Sequence, residues 1–235
     1  MVQEFRQDVI ANNIANAETP GFKRDLATFA ERARSSAAAA APGGWSQALT
    51  SGVWLGRSHT DFSVGMLQRT DRPTDVALTG PGFFEVATPQ GRFLTRDGRL
   101  VVAPDGAVLA ASDGAAVLSR GGAPLRVNPR GGEIRVTEEG RVMQNNVSVG
   151  ELSVVDLPSY DGLQKVEAGR FRAPAGVTPT PVESGVQQGH VEESAVEPVV
   201  ELVTLLETTR AHQFNAQMLT LQDQTVGRLI SAVSA

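Results

Sequence analysis

The stretch Asp8-Val9-Ile10-Ala11-Asn12-Asn13-Ile14-Ala15-Asn16-Ala17-Glu18-Thr19-Pro20-Gly21-Phe22-Lys23-Arg24 organises the rest of the chain. It begins as a helix and ends as a turn. Val2, Phe5, Val9 and Ile14 fall near one helical face, at gaps close to multiples of 3.6. Asn12, Asn13 and Asn16 weaken that helix, because their amides compete for backbone hydrogen bonds. Pro20 disfavours helical geometry at Thr19, and Gly21 permits positive φ, so the helix stops there. Polar amides followed by a forced turn suggest a helix with one specific partner elsewhere in the chain.

The remaining composition narrows what that partner can be. The 235 residues are 41% hydrophobic and 20% charged, a globular composition with adequate core material. Aromatics are 5%, with 24 Gly and 13 Pro, which favours turn-rich β structure. A net charge of −5 argues against a nucleic-acid partner. There is no cysteine, hence no disulfide, thiol chemistry or cysteine metal site. No apolar run approaches the ~20 residues that cross a bilayer, so no membrane insertion is expected. Glu4, Arg6 and Asp8 interrupt any signal-peptide core, so if the protein leaves the cytoplasm it does so by a route that cleaves no standard signal.

Outward from the opening stretch, residues 1–33 read as an N-terminal helix and turn, then a second amphipathic piece carrying Phe22, Leu26 and Phe29. Residues 34–74 read as a linker and extended segment, starting in the polyalanine tract before Pro42-Gly43-Gly44. Residues 75–172 form a compact antiparallel β domain of short strands. Phe83-Phe84-Glu85-Val86 and Arg92-Phe93-Leu94-Thr95 flank a hairpin connection, and Asp-Gly pairs at 97, 105 and 113 supply positive φ for tight turns. Residues 173–190 are a proline-bearing linker. Residues 191–235 are the C-terminal helix. Ser194 is its candidate N-cap, with Glu197 three residues on and Pro198 in the first turn. Val196, Val199, Val203 and Leu206, then Phe214, Met218 and Leu221, follow 3,4 spacing, and Val226, Leu229 and Val233 nearly do, a run of about 35 residues that suggests a coiled coil. Both terminal helices lack a neighbour in sequence, and the economical solution packs their apolar stripes together. The fold class is thus α+β, with paired terminal helices and a β domain.

Three motifs then resemble one family. Asn12 to Lys23 resembles the N-terminal signature of bacterial flagellar rod and hook proteins. Asp75 to Phe84, with Phe93-Leu94-Thr95-Arg96-Asp97-Gly98, resembles the start of that family's middle domain. Gln188 to Val196, followed by Pro198, Arg210 and Asn215, resembles its C-terminal signature. Ala195 stands where Asn is common, His212 where an aromatic is usual, and the chain begins inside the first helix.

The resemblance implies a coiled-coil inner domain and helical stacking into the periplasmic rod of the flagellar basal body. It implies export by the flagellar type III apparatus, and partners that are further copies and other rod proteins. The run from Thr70 to Gly80 looks more like the proximal-rod than the distal-rod type. Residues expected at helix packing or assembly are Val9, Asn12, Asn13, Ile14, Asn16, Pro20, Gly21, Phe22, Gln188, Gly189, Glu192, Ser194, Val199, Leu202, Leu206, Arg210, Phe214 and Asn215. The β-domain motif supplies Gly80, Gly82, Phe83, Phe84, Thr95, Arg96 and Gly98.

Each of these has a plainer reading. The asparagines are either caps and surface residues or amides fixing helix register. Arg210 is either a solvated charge or a fork to Glu18, Glu192 or a neighbouring copy. His59, His190 and His212 lack metal-ligand spacing, and neither lysine sits in a phosphate loop. The arginines from Arg120 to Arg141 suit a solvated face or acidic neighbouring subunits better than nucleic acid. No catalytic constellation or cofactor motif is present. The sequence therefore favours a non-enzymatic structural subunit. The competing reading is a β-domain ligand- or peptide-binding module dimerised through its helices.

Overall fold

A computed structural model describes residues 2–31 and 53–233. The polyalanine tract lies outside the described residues. The described chain forms two compact units. A helical unit draws on residues 2–15, 25–31, 53–60 and 197–233. A β unit draws on residues 16–24 and 61–196.

The helical unit contains α1 (Val2–Ala15), β1 (Asp25–Glu31), β2 (Val53–Thr60) and α2 (Pro198–Val233). β1 pairs antiparallel with β2, with a bulge between Ala27 and Phe29. Strand β1 thus lies in the second amphipathic piece, and β2 lies in the segment read as linker and extended structure. Helix α2 runs 36 residues, as its periodicity demands. Pro198 stands at its first position, where a missing N–H costs nothing. Ser194 is not its N-cap: its Oγ accepts the Val196 N–H at 3.3 Å, a local turn three residues short of the helix.

The β unit carries β3 (Leu67–Arg69), β4 (Val76–Leu78), β5 (Phe83–Thr88), β6 (Gly91–Thr95), β7 (Leu100–Val102), β8 (Val108–Ala110), β9 (Ala116–Val117), β10 (Ile134–Val136), β11 (Arg141–Gln144), β12 (Val147–Glu151), β13 (Val154–Asp156), β14 (Gln164–Val166), β15 (Arg170–Arg172), β16 (Thr180–Pro181), β17 (Val186–Gln188) and β18 (His190–Glu192). The largest sheet runs β14-β15-β6-β5-β9-β8-β7, with β13 also paired to β5 and β16 to β13. A second sheet is β10-β11-β12, and β17–β4 and β18–β3 pair separately. Every pairing is antiparallel. Residues 173–190 are therefore not a plain linker, since β16 and β17 return to pair within the unit.

The central sheet is buried on both faces because successive side chains point opposite ways. Phe84, Phe93 and Val154 enter one cluster with Val76, Leu100 and Val142. Their neighbours Phe83, Leu94 and Val155 enter another with Leu157 and Phe171. Phe62 meets Phe83 edge-on at 6.0 Å and Phe171 at 5.3 Å, which closes that second cluster.

The Asp-Gly pairs are not equivalent. Gly106 and Gly114 adopt positive φ as turn residues. Gly98 does not; it is glycine because a Cβ there would lie 1.6 Å from the Val76 carbonyl oxygen. That close approach lets the Val76 N–H donate to the Gly98 carbonyl at 2.9 Å.

Candidate assembly site

In the β unit, the motif around Pro20 forms a buried clasp. Gly21 adopts φ +68°, and a Cβ on it would sit 2.5 Å from the Arg96 carbonyl carbon. Its N–H donates to the Glu192 carbonyl at 2.8 Å, and the Ala195 N–H donates to the Phe22 carbonyl at 3.0 Å. The turn therefore lies along the end of β18, with Phe22 buried.

Lys23 follows directly and is wholly enclosed; its side chain is 0% exposed and that of Glu192 1%. Its ammonium pairs with Glu192 Oε1 and donates to the Ser63 carbonyl at 2.6 Å. The same Oε1 accepts the Gly65 N–H at 2.8 Å, and Arg96 Nη1 donates to Oε2 at 3.2 Å. One carboxylate thus joins three distant segments and answers two buried cations. Burial pushes the Lys23 ammonium below the ordinary lysine pKa, against the opposing pull of Glu192. Lys165 completes the surround: its Nζ donates to the Lys23 carbonyl at 2.7 Å and sits 3.6 Å over the Phe22 ring. Both lysines of the chain meet here.

The remaining motif residues of this unit make contacts within it. Gln188 Nε2 donates to the Pro73 and Ile134 carbonyls at 2.6 and 2.8 Å, while its Oε1 accepts the Val136 N–H. Gly189, at φ +72°, accepts the Thr70 N–H at 2.8 Å. Gly82 needs its φ of +112°, and Gly80 leaves room for Ser184. Phe83, Phe84 and Thr95 are buried in the sheet. Asn16 Oδ1 accepts the Thr19 hydroxyl at 3.2 Å, just ahead of the half-buried Pro20.

In the helical unit, Asn13 links α1 to the start of β1 and to α2. It is buried, and its Oδ1 accepts the Asp25 N–H at 3.0 Å while its Nδ2 donates to the Asp25 carbonyl at 2.8 Å. Nδ2 also lies 3.2 Å from Glu201 Oε1 on α2. A second link runs from Gln7 Nε2 to Thr209 Oγ1 at 3.5 Å. Asn12 is exposed. The buried face of α1 holds Ile10 and Asn13, with Val9 and Ile14 only half-buried, one step round from the expected stripe.

The two helices therefore meet through a largely polar seam, not through their apolar stripes. Glu201 and Thr208 are the buried residues of α2. Val199 is 74% exposed and Phe214 62%, and Leu202, Val203 and Leu206 are also exposed. From 211 to 232 every residue of α2 is exposed, Asn215 included. Length explains part of this: 36 residues span about 54 Å, whereas the 14 of α1 span about 21 Å. Arg210 is exposed as well, and Glu192, one carboxylate considered for it, is held by Lys23 and Arg96 instead.

Sequence reasoning missed the clasp. Its one signal was the lysines, Lys23 and Lys165, compact ammoniums in a chain whose other basic residues are mostly arginine. Among the described residues there is no His, Asp and Glu group able to hold a metal ion, and no helix long and apolar enough to cross a membrane.

The comparisons with known proteins agree at both ends and over most of the length. Residues 2–23 match the family described as flagella basal body rod protein, and residues 187–232 match the flagellar basal body rod FlgEFG protein C-terminal family. The chain is 34% identical to the flagellar basal-body rod protein FlgF of Caulobacter vibrioides, over 90% of this chain and 85% of that one. It is 32% identical to FlgF of Mesorhizobium japonicum, over 93% and 88% respectively. It is 30% identical to FlgG of Buchnera aphidicola from Schizaphis graminum, over 97% and 94%. The two matched segments include the turn and strand that form the clasp and the helices that meet at Asn13. The chain belongs to the flagellar basal-body rod protein family.

Proposed function

We propose that the protein is a non-enzymatic structural subunit of the flagellar basal-body rod. It packs with further copies and with other rod proteins into the axial shaft that transmits torque. The supporting observation is the row of large apolar side chains left exposed along α2. Each is worth about 1.5–3 kcal/mol when taken out of water, and a contiguous row of this length is unusual for a monomer. Coiled-coil packing of these helices among copies would cover it, as heptad-like spacing allows. Delivery to the periplasmic part of the rod is by the flagellar type III apparatus, and the position is that of the proximal-rod type.

Deleting the gene in its source bacterium and imaging basal bodies tests this reading. Missing or truncated rods with loss of motility are expected. Complete rods with normal swimming would overturn it.

A further inference from the structure

The β unit carries opposite charges at the two ends of its small sheet. At the base of the β11–β12 hairpin, where Arg141 lies opposite Glu151, a cleft of about 520 Å³ opens. Four carboxylates line it: Glu138, Glu139, Glu151 and Glu183. Two arginines answer only two of them. Arg120 Nη1 is 2.6 Å from Glu151 Oε1, and Arg141 Nη2 is 3.6 Å from Glu139 Oε2. Glu138 and Glu183 are exposed and form no ion pair among the described residues. Leu152 and Val154 supply an apolar stretch of wall. Ser184 also lines the cleft; it is 8% exposed, and its Oγ has no hydrogen-bond partner among the described residues.

The opposite end of the same sheet carries an exposed arginine. Between Arg141 and Gln144, β11 advances about 10 Å. Gln144 then holds a neighbouring turn: its Oε1 accepts the Asn128 N–H at 2.9 Å and its Nε2 donates to the Asn128 carbonyl at 2.8 Å. Asn145 at the hairpin tip donates to the Gly131 carbonyl. These bonds fix the Pro129-Arg130 turn at the tip. Arg130 is exposed and pairs with no carboxylate among the described residues.

We propose that the acidic cleft of one copy seats the Arg130 turn of a second copy. The guanidinium lies between Glu138 and Glu183, and its methylene stem lies on the Leu152 and Val154 wall. Because donor and acceptor sit at opposite ends of one ladder, the contact is head-to-tail and need not close on itself. This rests on the assembly reading above and names the partner surface that assembly would use.

The full chain contains no cysteine, which makes the contact directly testable by cross-linking. A variant carrying both Arg130→Cys and Glu183→Cys should give a ladder of disulfide-linked oligomers on mild oxidation. Each single variant should stop at dimers. In sedimentation at low salt, the Glu138→Arg, Glu183→Arg pair should weaken association about tenfold, and so should Arg130→Glu alone. Combining all three should restore association. All three side chains are exposed, so melting temperatures should not move. Association that persists without a ladder and ignores charge reversal would overturn this contact while leaving self-assembly intact. A wild-type chain that stays monomeric at every salt and concentration would overturn both.

Discussion

Replacing Glu192 by Gln keeps the shape of the clasp and removes its single negative charge. Two enclosed cations, Lys23 and Arg96, then lose their counter-charge, and the carboxylate oxygen shared by Lys23 and Gly65 weakens as an acceptor. Removing one partner of a buried ion pair costs about 3–5 kcal/mol. Two cations depend on this carboxylate, which places the loss at the upper end. For a unit of this size each kcal/mol lowers Tm by about 2–4 °C, so a fall of about 10–15 °C is expected. Thermal unfolding followed by near-UV circular dichroism and by calorimetry at neutral pH measures it. Arg69→Gln is the control: its pair with Asp71 is about three-quarters exposed on both sides and should cost under about 1 kcal/mol. Replacing the trio together (Lys23→Met, Arg96→Met, Glu192→Leu) should recover much of the loss, since no buried charge then needs an answer. A shift no larger than that of the control would refute the reasoning.

Three other perturbations have definite outcomes. Burial, and then the hydrogen bond to Asp156, push the Tyr160 hydroxyl up from 10.0 to about 12. A raised folded pKa gives stability that is complete below pH 10 and is lost between 10 and 12, so Tyr160→Phe should remove that alkaline component from a pH series of urea melts. The lowered Lys23 pKa acts with the opposite sign, adding stability as pH rises from its folded value to 10.5, and Lys23→Met should erase that contribution. Gly98→Ala should leave the β unit unfolded or cost more than about 4 kcal/mol, because its Cβ would meet the Val76 carbonyl. Gly114→Ala, with open space around it, should cost only about 1–2 kcal/mol for its positive φ, and paired chemical melts separate the two. Asn13→Leu should cost about 2–4 kcal/mol in the helical unit through its lost bonds to Asp25 and Glu201, read as faster amide exchange in α1 with β-unit exchange unchanged.

The order of elements was legible because it rests on local chemistry. α1 ends at Ala15 in the turn that leads to Pro20-Gly21, Asp-Gly pairs mark turns at Gly106 and Gly114, and runs of 3,4 spacing fall along α2. The hairpin at Pro89-Gln90 stands out for the same reason. What stayed hidden depends on partners far away in sequence. Asn13 reads as a helix weakener until Asp25 and Glu201 are beside it. Lys23 and Glu192 are 169 positions apart, and no periodicity links them. The apolar row of α2 was legible, but its direction was not. Spacing alone cannot tell an intrachain stripe from an outward one, and here Glu201 and Thr208 took the inner face. Gly98 looked like a turn residue and is instead a point of backbone contact.

The outward direction of that row is best tried in the source bacterium. A variant carrying Leu206→Glu and Phe214→Glu alters only exposed side chains. Purified, it should melt at the wild-type temperature. Expressed in place of the wild-type gene, it should be made and exported but leave basal bodies with missing or incomplete rods by electron cryotomography. Complete rods and normal swimming from a stably folded double variant would contradict the assignment of this row to contacts between subunits.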